Sequence, residues 1–163
     1  MNDSPRDRIV GTTADSLGAT IYAGAGAGTG KTQALVERIA NLVTLGGVKP
    51  ENIAAITFTV ASASELSQRV RQQLEERLEA ARTGVDTDAS QALSSALSSL
   101  DSAFIGTIHS FALSLLRERP LDVRLPPVFE LVDAVQQESR FDEAWDHWLD
   151  DALADPILEG AIL

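Results

Sequence analysis

The stretch that decides the fold is rich in glycine and runs Gly24-Ala25-Gly26-Ala27-Gly28-Thr29-Gly30-Lys31-Thr32. Backbone N–H groups can converge on a phosphate chain only where side chains do not obstruct them, and glycine provides that access. The stretch fits the pattern G-x-x-x-x-G-K-[ST], except that Ala25 stands where the pattern has its first glycine. We therefore predict a phosphate-binding loop, in preference to a flexible Gly/Ala loop with a chance lysine.

Two side chains of this loop have predicted chemical roles. Lys31 would place its charge on the β- and γ-phosphates of a nucleotide, and the hydroxyl of Thr32 would ligate Mg²⁺. The helix that follows would direct its N-terminal N–H groups at the same anion. The predicted nucleotide-binding residues are Ala25, Gly26, Ala27, Gly28, Thr29, Gly30, Lys31 and Thr32.

The segments that flank the loop predict the first half of a βαβ unit. Residues 19–23 form a short apolar run that predicts a buried strand. After Lys31 the apolar residues recur at helical spacing until Gly46, which indicates a helix. A strand, a glycine loop and a helix in this order are the context that a phosphate-binding loop requires.

The next part of the chain predicts further alternation of strands and helices. Residues 53–59 lack charge and predict a parallel strand buried on both faces. Ser62 and Glu65 have capping-box spacing, so a helix should start near Ala63. Its apolar stripe is Leu66, Val70, Leu74, Leu78 and Ala81, and its solvated face carries Arg69, Arg71, Glu75, Glu76 and Arg77. Then follow a loop over 83–90, a helix over 91–100, a strand over 103–108 and a helix that ends at Pro120.

The C-terminal part differs from the rest in its charge. The chain has 24 acidic residues against 13 lysines and arginines, a net charge of −11. Ten of those acids lie in residues 130–163 beside Arg140 alone, so residues 1–129 are nearly neutral. We predict a strand over 128–132, an N-cap at Asp133, and a helix with one aromatic and one acidic face. The predicted domains are residues 1–127 and an acidic helical part, residues 128–163.

The absence of cysteine and of long apolar stretches limits the classes of protein to which this chain can belong. The chain has no cysteine, which excludes disulfides and thiolate metal sites and fits a cytoplasmic location. Its longest uncharged stretches, 16–30 and 102–116, are shorter than the roughly 20 apolar residues that a bilayer span needs. The first residues are acidic where a signal peptide would be basic. We expect a protein with no membrane segment.

Three blocks in order resemble motifs I, Ia and Ib of superfamily 1 DNA helicases of the UvrD type. The first is the glycine loop, the second is Ile56-Thr57-Phe58-Thr59, and the third is Gly106-Thr107-Ile108-His109-Ser110-Phe111. The branch most similar is that of RecB and AddA, the helicase-nuclease subunits of recombinational repair. That branch also tends to have Arg-Asp-Arg-Ile before the first strand, as at Arg6–Ile9, and Ala-Leu-Val-Glu-Arg after the loop, as at Ala34–Arg38.

The resemblance implies a fold and a set of ligands. The fold would be α/β, a partial RecA-like P-loop NTPase parallel sheet flanked by helices, followed by the start of a helical subdomain. The cofactors would be ATP and Mg²⁺, and the partners would be single-stranded DNA and the remainder of a helicase or a nuclease subunit. The implied DNA contacts are Thr57, Phe58, Thr59, Thr107, His109, Ser110 and Phe111.

The chain also departs from the pattern of these helicases. Val60 and Ala61 stand where motif Ia usually continues with Asn or Glu and then Lys, and the glutamine that reads adenine, expected near Asp3, is absent. The sequence ends before the Asp-Glu motif II, the arginine fingers and any nuclease domain, so we expect this chain by itself neither to turn over ATP nor to unwind DNA. Asp133 and the pair Asp142-Glu143 are the weak alternatives for motif II.

Other interpretations stay open at this point. The chain could be a small stand-alone P-loop kinase or nucleotide-binding module, or a non-catalytic remnant that self-associates through the face around Trp145. His109 could bond only to backbone, and Phe58 and Phe111 could belong to the core. Phe141, Trp145 and Trp148 share an apolar face and predict packing rather than base stacking.

Overall fold

A computed structural model describes residues 4–24, 26 and 28–154. Its residues fall into two compact units, divided between Leu116 and Arg117. Helices dominate both units, and one two-stranded parallel sheet lies in the first. Among the described residues, no helix is both long and apolar enough to cross a membrane.

The first unit opens with two short capped helices, α1 (Pro5–Val10) and α2 (Ala14–Gly18). The side chains of Ser4 and Asp7 cap α1 reciprocally, and Thr13 and Ser16 do the same for α2. These caps satisfy N–H groups that the first turn of a helix leaves without an intrahelical partner.

Helix α3 (Lys31–Thr44) follows the glycine loop and confirms the predicted helix. Val36, Ile39 and Ala40 form its buried face. The helix ends just before two glycines, and Gly47 takes a left-handed φ of 61° that glycine adopts without strain.

Strands β1 (Ala54–Thr57) and β2 (Phe104–Thr107) pair in parallel, with Ala54 opposite Phe104 and Thr57 opposite Thr107. Two helices connect them, α4 (Val60–Thr83) and α5 (Thr87–Ser98), as a parallel pair requires. The sheet therefore confirms two of the predicted strands.

The burial of β1 differs from the prediction. Ala55 is buried, but Ala54 and Ile56 are exposed, so only one face of the strand is covered. The covered face packs on α4, and no described element covers the other face. A charge-free strand was predicted to be buried on both faces, and that prediction is wrong for the described residues because burial depends on a second layer of helices.

The core of this unit lies between α3, α4, α5 and the covered face of the sheet. Leu66, Val70, Leu74 and Leu78 form the buried stripe of α4, as the apolar spacing predicted. They pack with Val36 and Ile39 of α3, Ile53 and Ala55 at β1, and Leu93 and Leu100 near α5. At roughly 25 cal/mol per Å² of apolar area removed from water, this cluster is the main stabilising element of the unit.

The start of α4 corrects the predicted capping box. The helix begins at Val60 and not near Ala63, because Thr59 is the N-cap and its hydroxyl accepts from the N–H of Ser62 at 3.1 Å. Thr59 precedes Ser62 and already has the extended backbone that an N-cap requires. Glu65 does not bond to the N-cap backbone in a capping box and instead forms an ion pair with Arg69.

The loop between α4 and α5 is shorter than predicted. α5 begins at Thr87, because the carboxylate of Asp86 caps it by accepting from the N–H of Ala89 at 3.0 Å. The predicted loop over 83–90 and the helix start at Gln91 are therefore wrong. α6 (Ile108–Glu118) follows β2 directly, crosses the division between the units and ends before Pro120, as predicted.

The strand predicted over residues 19–23 does not form. These residues have no regular secondary structure, and the side chain of Tyr22 is 96% exposed. A strand exists only when a neighbour pairs with its N–H and C=O groups, and no described segment pairs with this one. Residues 19–23 have the composition of a strand, but composition alone does not provide a neighbouring strand with which they can pair.

The second unit contains a 3₁₀ turn at Pro120–Val123 and the long helix α7 (Ala134–Ala154). Residues 128–132 form no strand, which contradicts that prediction; like residues 19–23, they have no pairing partner among the described residues. Asp133 caps α7 as predicted, since its carboxylate accepts from the N–H of Gln136 at 2.8 Å. Phe141, Trp145 and Trp148 form an aromatic row on this helix, with each ring at least half exposed.

Candidate functional site

Two glycines at the end of the glycine loop have a left-handed backbone conformation. Gly28 and Gly30 have φ angles of 75° and 83°, in the left-handed region that L side chains rarely adopt. Gly30 is also the residue that precedes the first turn of α3. Ala25 and Ala27, which belong to the predicted site, lie outside the described residues. The loop therefore reaches the helix through two positions at which glycine is required.

Side chains of the loop bond to its own backbone. The hydroxyl of Thr29 donates to the carbonyl of Gly26 at 2.9 Å, and the ammonium of Lys31 donates to the same oxygen. The side chain of Lys31 thus bends back to the loop, and the residue is exposed. This is where a cation is needed to contact phosphates that the loop would hold.

The N-terminus of α3 completes an anion-binding arrangement. The first bond of the helix runs from the N–H of Ala34 to the carbonyl of Gly30 at 2.9 Å, and Gly30 has no side chain with which to cap the earlier N–H groups. These groups and the positive end of the helix dipole point toward the loop. A phosphate is the group that suits such a site.

The residues present also fit magnesium held together with a nucleotide. Thr32 is exposed on the first turn of α3, directly after Lys31. Mg²⁺ keeps several waters and is bound by few protein oxygens together with substrate phosphates, so the hydroxyl of Thr32 can serve as one of its ligands. Within the described ranges, no cluster of three or more His, Asp or Glu residues could hold a metal ion by itself.

Arg69 of α4 also borders the loop, although its sequence pattern indicated only a solvated face. It shares a cleft of about 300 Å³ with Gly28, Thr29, Gly30, Lys31, Thr32 and Gln33. Its position three residues after the buried Leu66 is the signal that could have identified it, because that spacing places it beside the stripe that faces α3.

A larger and mostly apolar cleft of about 560 Å³ also borders the loop. Its lining includes Ile9 of α1, Ile21, and Leu35 of α3, together with Lys31 of the loop. Arg6 stands at this cleft and pairs with Glu37 at 2.9 Å. Asp3, near which an adenine-reading glutamine was expected, lies outside the described residues.

The sheet brings motifs Ia and Ib together. Thr57 and Thr107 are opposite each other at the carboxyl ends of β1 and β2. The hydroxyl of Thr57 donates to the carbonyl of Thr59 at 3.0 Å. Thr107 and Ser110 bond reciprocally, since each backbone N–H donates to the hydroxyl of the other residue. These four predicted DNA-contact residues therefore lie at one edge of the sheet and are held by local hydrogen bonds.

The aromatic residues of these motifs have different surroundings. Phe58 is 95% exposed, so it is not part of the core of the unit. Phe111 is half-buried and packs edge to face on Phe104, with ring centroids 5.1 Å apart. His109 is exposed at the start of α6. Phe58 and His109 can reach a ligand, whereas Phe111 also has a packing role.

The two alternatives for a catalytic acid have ordinary structural surroundings. Asp133 caps α7 and does not follow a strand. Asp142 and Glu143 are exposed on the middle of the same helix. Asp133 is therefore explained as a helix cap.

Comparisons with known proteins agree with the three motifs. The family model of the UvrD/REP helicase N-terminal domain matches residues 10–157. An ATP-dependent helicase/nuclease subunit of Lactobacillus gasseri is 38% identical over 125 residues, which are 76% of this chain and 10% of that protein. DNA helicase II of Haemophilus influenzae is 32% identical over 137 residues, which are 84% of this chain and 16% of that protein.

A further relative, the corresponding ATP-dependent helicase/nuclease subunit of Pediococcus pentosaceus, is 30% identical over 131 residues, 80% of this chain. The chain spans between 10% and 16% of the length of these curated relatives. The family model nevertheless covers most of the chain, and the loop geometry lies inside the matched region. The predicted resemblance is confirmed, and the chain belongs to the UvrD/REP helicase N-terminal domain family.

Proposed function

We propose that this chain is the ATP-binding N-terminal part of a DNA helicase of the UvrD type and binds both Mg-ATP and single-stranded DNA. The observation that carries the proposal is the turn at Gly28 and Gly30, which leads directly into the first turn of α3 with Lys31 and Thr32. Family membership supports the assignment of that turn to ATP.

Each part of the loop has a role in this proposal. The N–H groups of the loop and of the first turn of α3 hold the phosphate chain. Lys31 places its charge on the β- and γ-phosphates, and Thr32 ligates Mg²⁺. β1 and β2 are then two strands of a RecA-like parallel sheet, and residues 1–127 form the ATP-binding domain while residues 128–163 begin a helical subdomain.

Single-stranded DNA would cross the edge of the sheet where β1 and β2 end. Phe58 offers a flat, exposed ring on which a base can stack, and Thr57, Thr59, Thr107 and Ser110 offer polar groups to the backbone of the strand. Such a track is independent of sequence, because every base has a π-face. His109 and Phe111 would extend it along α6.

The names of the relatives suggest a wider role in DNA repair and recombination. Two of them are named as subunits of ATP-dependent helicase/nucleases, so a larger assembly with nuclease activity is the partner we propose. The cytoplasm is the location that fits such a role.

Crossed binding measurements test the proposal. Lys31→Ala should abolish binding of a fluorescent ATP analogue and leave binding of labelled oligothymidine unchanged. Phe58→Ala should weaken binding of oligothymidine and leave binding of the ATP analogue unchanged. We expect GTP to compete with ATP at comparable affinity, because the adenine-reading glutamine is absent. Arg82→Ala, on the exposed last turn of α4, is the control. Nucleotide binding without any DNA binding would favour a stand-alone nucleotide-binding module instead.

A further inference from the structure

The long helix of the second unit carries a row of exposed aromatic rings. Phe141, Trp145 and Trp148 recur at the spacing i, i+4 and i+7, which places them on one side of α7. They are 65%, 50% and 52% exposed, respectively. The ring centroids of Phe141 and Trp145 lie 6.4 Å apart, and those of Trp145 and Trp148 lie 5.0 Å apart. The rings therefore form one continuous apolar surface, and exposed surfaces of this kind mark sites of interaction.

An acidic ridge, formed by Glu138, Asp142 and Asp146, runs beside this aromatic row. Its members recur every four residues and so follow one ridge of the helix surface. Glu138 precedes Phe141 by three residues, and Asp142 precedes Trp145 by three, a spacing at which side chains on a helix are neighbours. All three acids are exposed, and no ion pair among the described residues includes any of them. The aromatic row is thus bordered by negative charge.

The charge of α7 disfavours several classes of partner. The helix has six acidic residues and one arginine, Arg140. Nucleic acids and anionic membranes present negative groups, which these carboxylates repel. Two copies of α7 packed row against row would bring two acidic helices together, and like charges across an interface oppose association. The complementary partner is cationic and has apolar side chains to cover the rings.

We propose that the aromatic row and the acidic ridge form a docking site for a basic amphipathic helix of a partner protein. The row rises about 10 Å along α7, two helical turns, which a second helix covers with its own apolar side chains at i, i+4 and i+7. Lysines and arginines beside that apolar stripe pair with the acidic ridge, and a cation can also lie over an exposed indole ring. The site needs no nucleotide, so it is independent of the glycine loop.

A synthetic peptide of leucine and lysine is the probe. It is roughly 18 residues long, five helical turns, with its leucines on one face. Trp145 and Trp148 are the two tryptophans of the chain and the peptide has none, so tryptophan fluorescence reports on the row itself. Binding should shift the emission to shorter wavelength, because the indoles leave water. A peptide with glutamate in place of lysine should cause no shift, and neither should one with its leucines dispersed around the helix.

Substitution of the central ring tests the position of the site. Trp145→Ala should weaken binding of the fluorescently labelled peptide, measured by anisotropy on the full chain, by about tenfold or more, as expected for a central aromatic anchor. Tyr22→Ala removes an exposed ring from the first unit and should leave the affinity unchanged. Circular dichroism of each variant verifies that the helices are retained.

Two double variants with the same loss of charge separate the acidic ridge from the net charge of the chain. Glu138→Gln with Asp142→Asn removes two carboxylates beside the row and should weaken binding by about three- to tenfold at low salt. Glu143→Gln with Asp150→Asn removes two from the opposite side of α7 and should change the affinity by less than about twofold. The difference should disappear at about 1 M salt, which screens exposed charges.

The outcomes that would overturn the docking site are distinct from one another. The leucine-lysine peptide could cause no shift, or Trp145→Ala could bind it as the wild type does. Equal losses in the two double variants would show that only the net charge attracts the peptide. If the chain is a dimer by analytical ultracentrifugation and Trp145→Ala makes it a monomer, the row is instead an interface between copies of this chain.

Discussion

Both Nη atoms of Arg38 lie 3.2 Å from the carbonyl oxygen of Ser16, to which they donate. The same guanidinium also donates to the carbonyls of Ile9, Leu17 and Ala19. Arg38 therefore fastens α1, α2 and the start of the segment before the glycine loop to α3. One side chain satisfies carbonyls that the ends of two short helices leave without partners.

Arg38→Ala should lower the free energy of unfolding by about 1.5–3 kcal/mol, the range for hydrogen bonds to a charged group. Urea denaturation followed by circular dichroism measures this change. The control is Arg82→Ala, an exposed arginine of α4, whose effect should stay within about 0.5 kcal/mol. Equal stabilities of the two variants would contradict a fastening role for Arg38.

Truncation of a buried leucine in the apolar stripe of α4 should destabilise the first unit. Leu74 is completely buried, so Leu74→Ala should lower the free energy of unfolding by about 2–5 kcal/mol through lost burial and a residual cavity. Leu45→Ala removes the same atoms from a side chain that is 62% exposed and should cost less than about 1 kcal/mol. Thermal and urea unfolding of the pair decide whether α4 forms the centre of the unit.

Substitutions of Phe58 and Phe111 should differ in their effects, because one ring is exposed and the other packs on Phe104. Phe58→Ala should weaken binding of oligothymidine by about 1–3 kcal/mol, the value of one base on an aromatic ring, without loss of stability. Phe111→Ala should reduce stability, because its ring packs on Phe104. Fluorescence anisotropy and urea unfolding measure the two effects. A stability loss in Phe58→Ala equal to that in Phe111→Ala would place both rings in the core.

The contribution of Asp7 to the stability of α1 should depend on pH in the acidic range. The hydroxyl and the N–H of Ser4 donate to its carboxylate and hold the pKa of Asp7 below its usual 3.8. Because the pKa is lower in the folded state, the carboxylate stabilises α1 above pH 3.8 and this contribution is lost as the pH falls through the folded pKa. NMR titration of Asp7 should give a midpoint below 3.8, and a midpoint at or above it would refute the cap.

Local patterns predicted the helices better than the strands. The spacing of Leu66, Val70 and Leu74 determined the buried face of α4, because a helix satisfies its own backbone and needs only one apolar side. The predicted start was wrong because both Thr59 and Ser62 are good N-caps, and only the extended backbone of Thr59 decides between them.

Strands depend on partners that composition does not reveal. Residues 53–59 and 103–108 contain strands because each pairs with the other. Residues 19–23 and 128–132 have similar composition and form none, since no described segment pairs with them. Tyr22 is therefore exposed instead of buried.

The candidate site was predictable where it depends on consecutive residues. Lys31 and Thr32 follow from the motif and lie on the first turn of α3 as the motif requires. Arg69 comes from another helix, so only the packing of α4 on α3 brings it to the loop. The reciprocal bonds of Thr107 and Ser110 likewise depend on the turn between β2 and α6, which the sequence pattern does not specify.

The most direct test of the phosphate-loop assignment is calorimetric titration of Mg-ATP into the wild-type chain and into Lys31→Ala. The side chain of Lys31 is exposed and contributes charge to the loop and not packing to the core, so its removal should leave the circular dichroism spectrum and the unfolding midpoint unchanged. We predict measurable binding to the wild type and none to the variant. Equal affinity in two equally folded proteins would contradict the assignment.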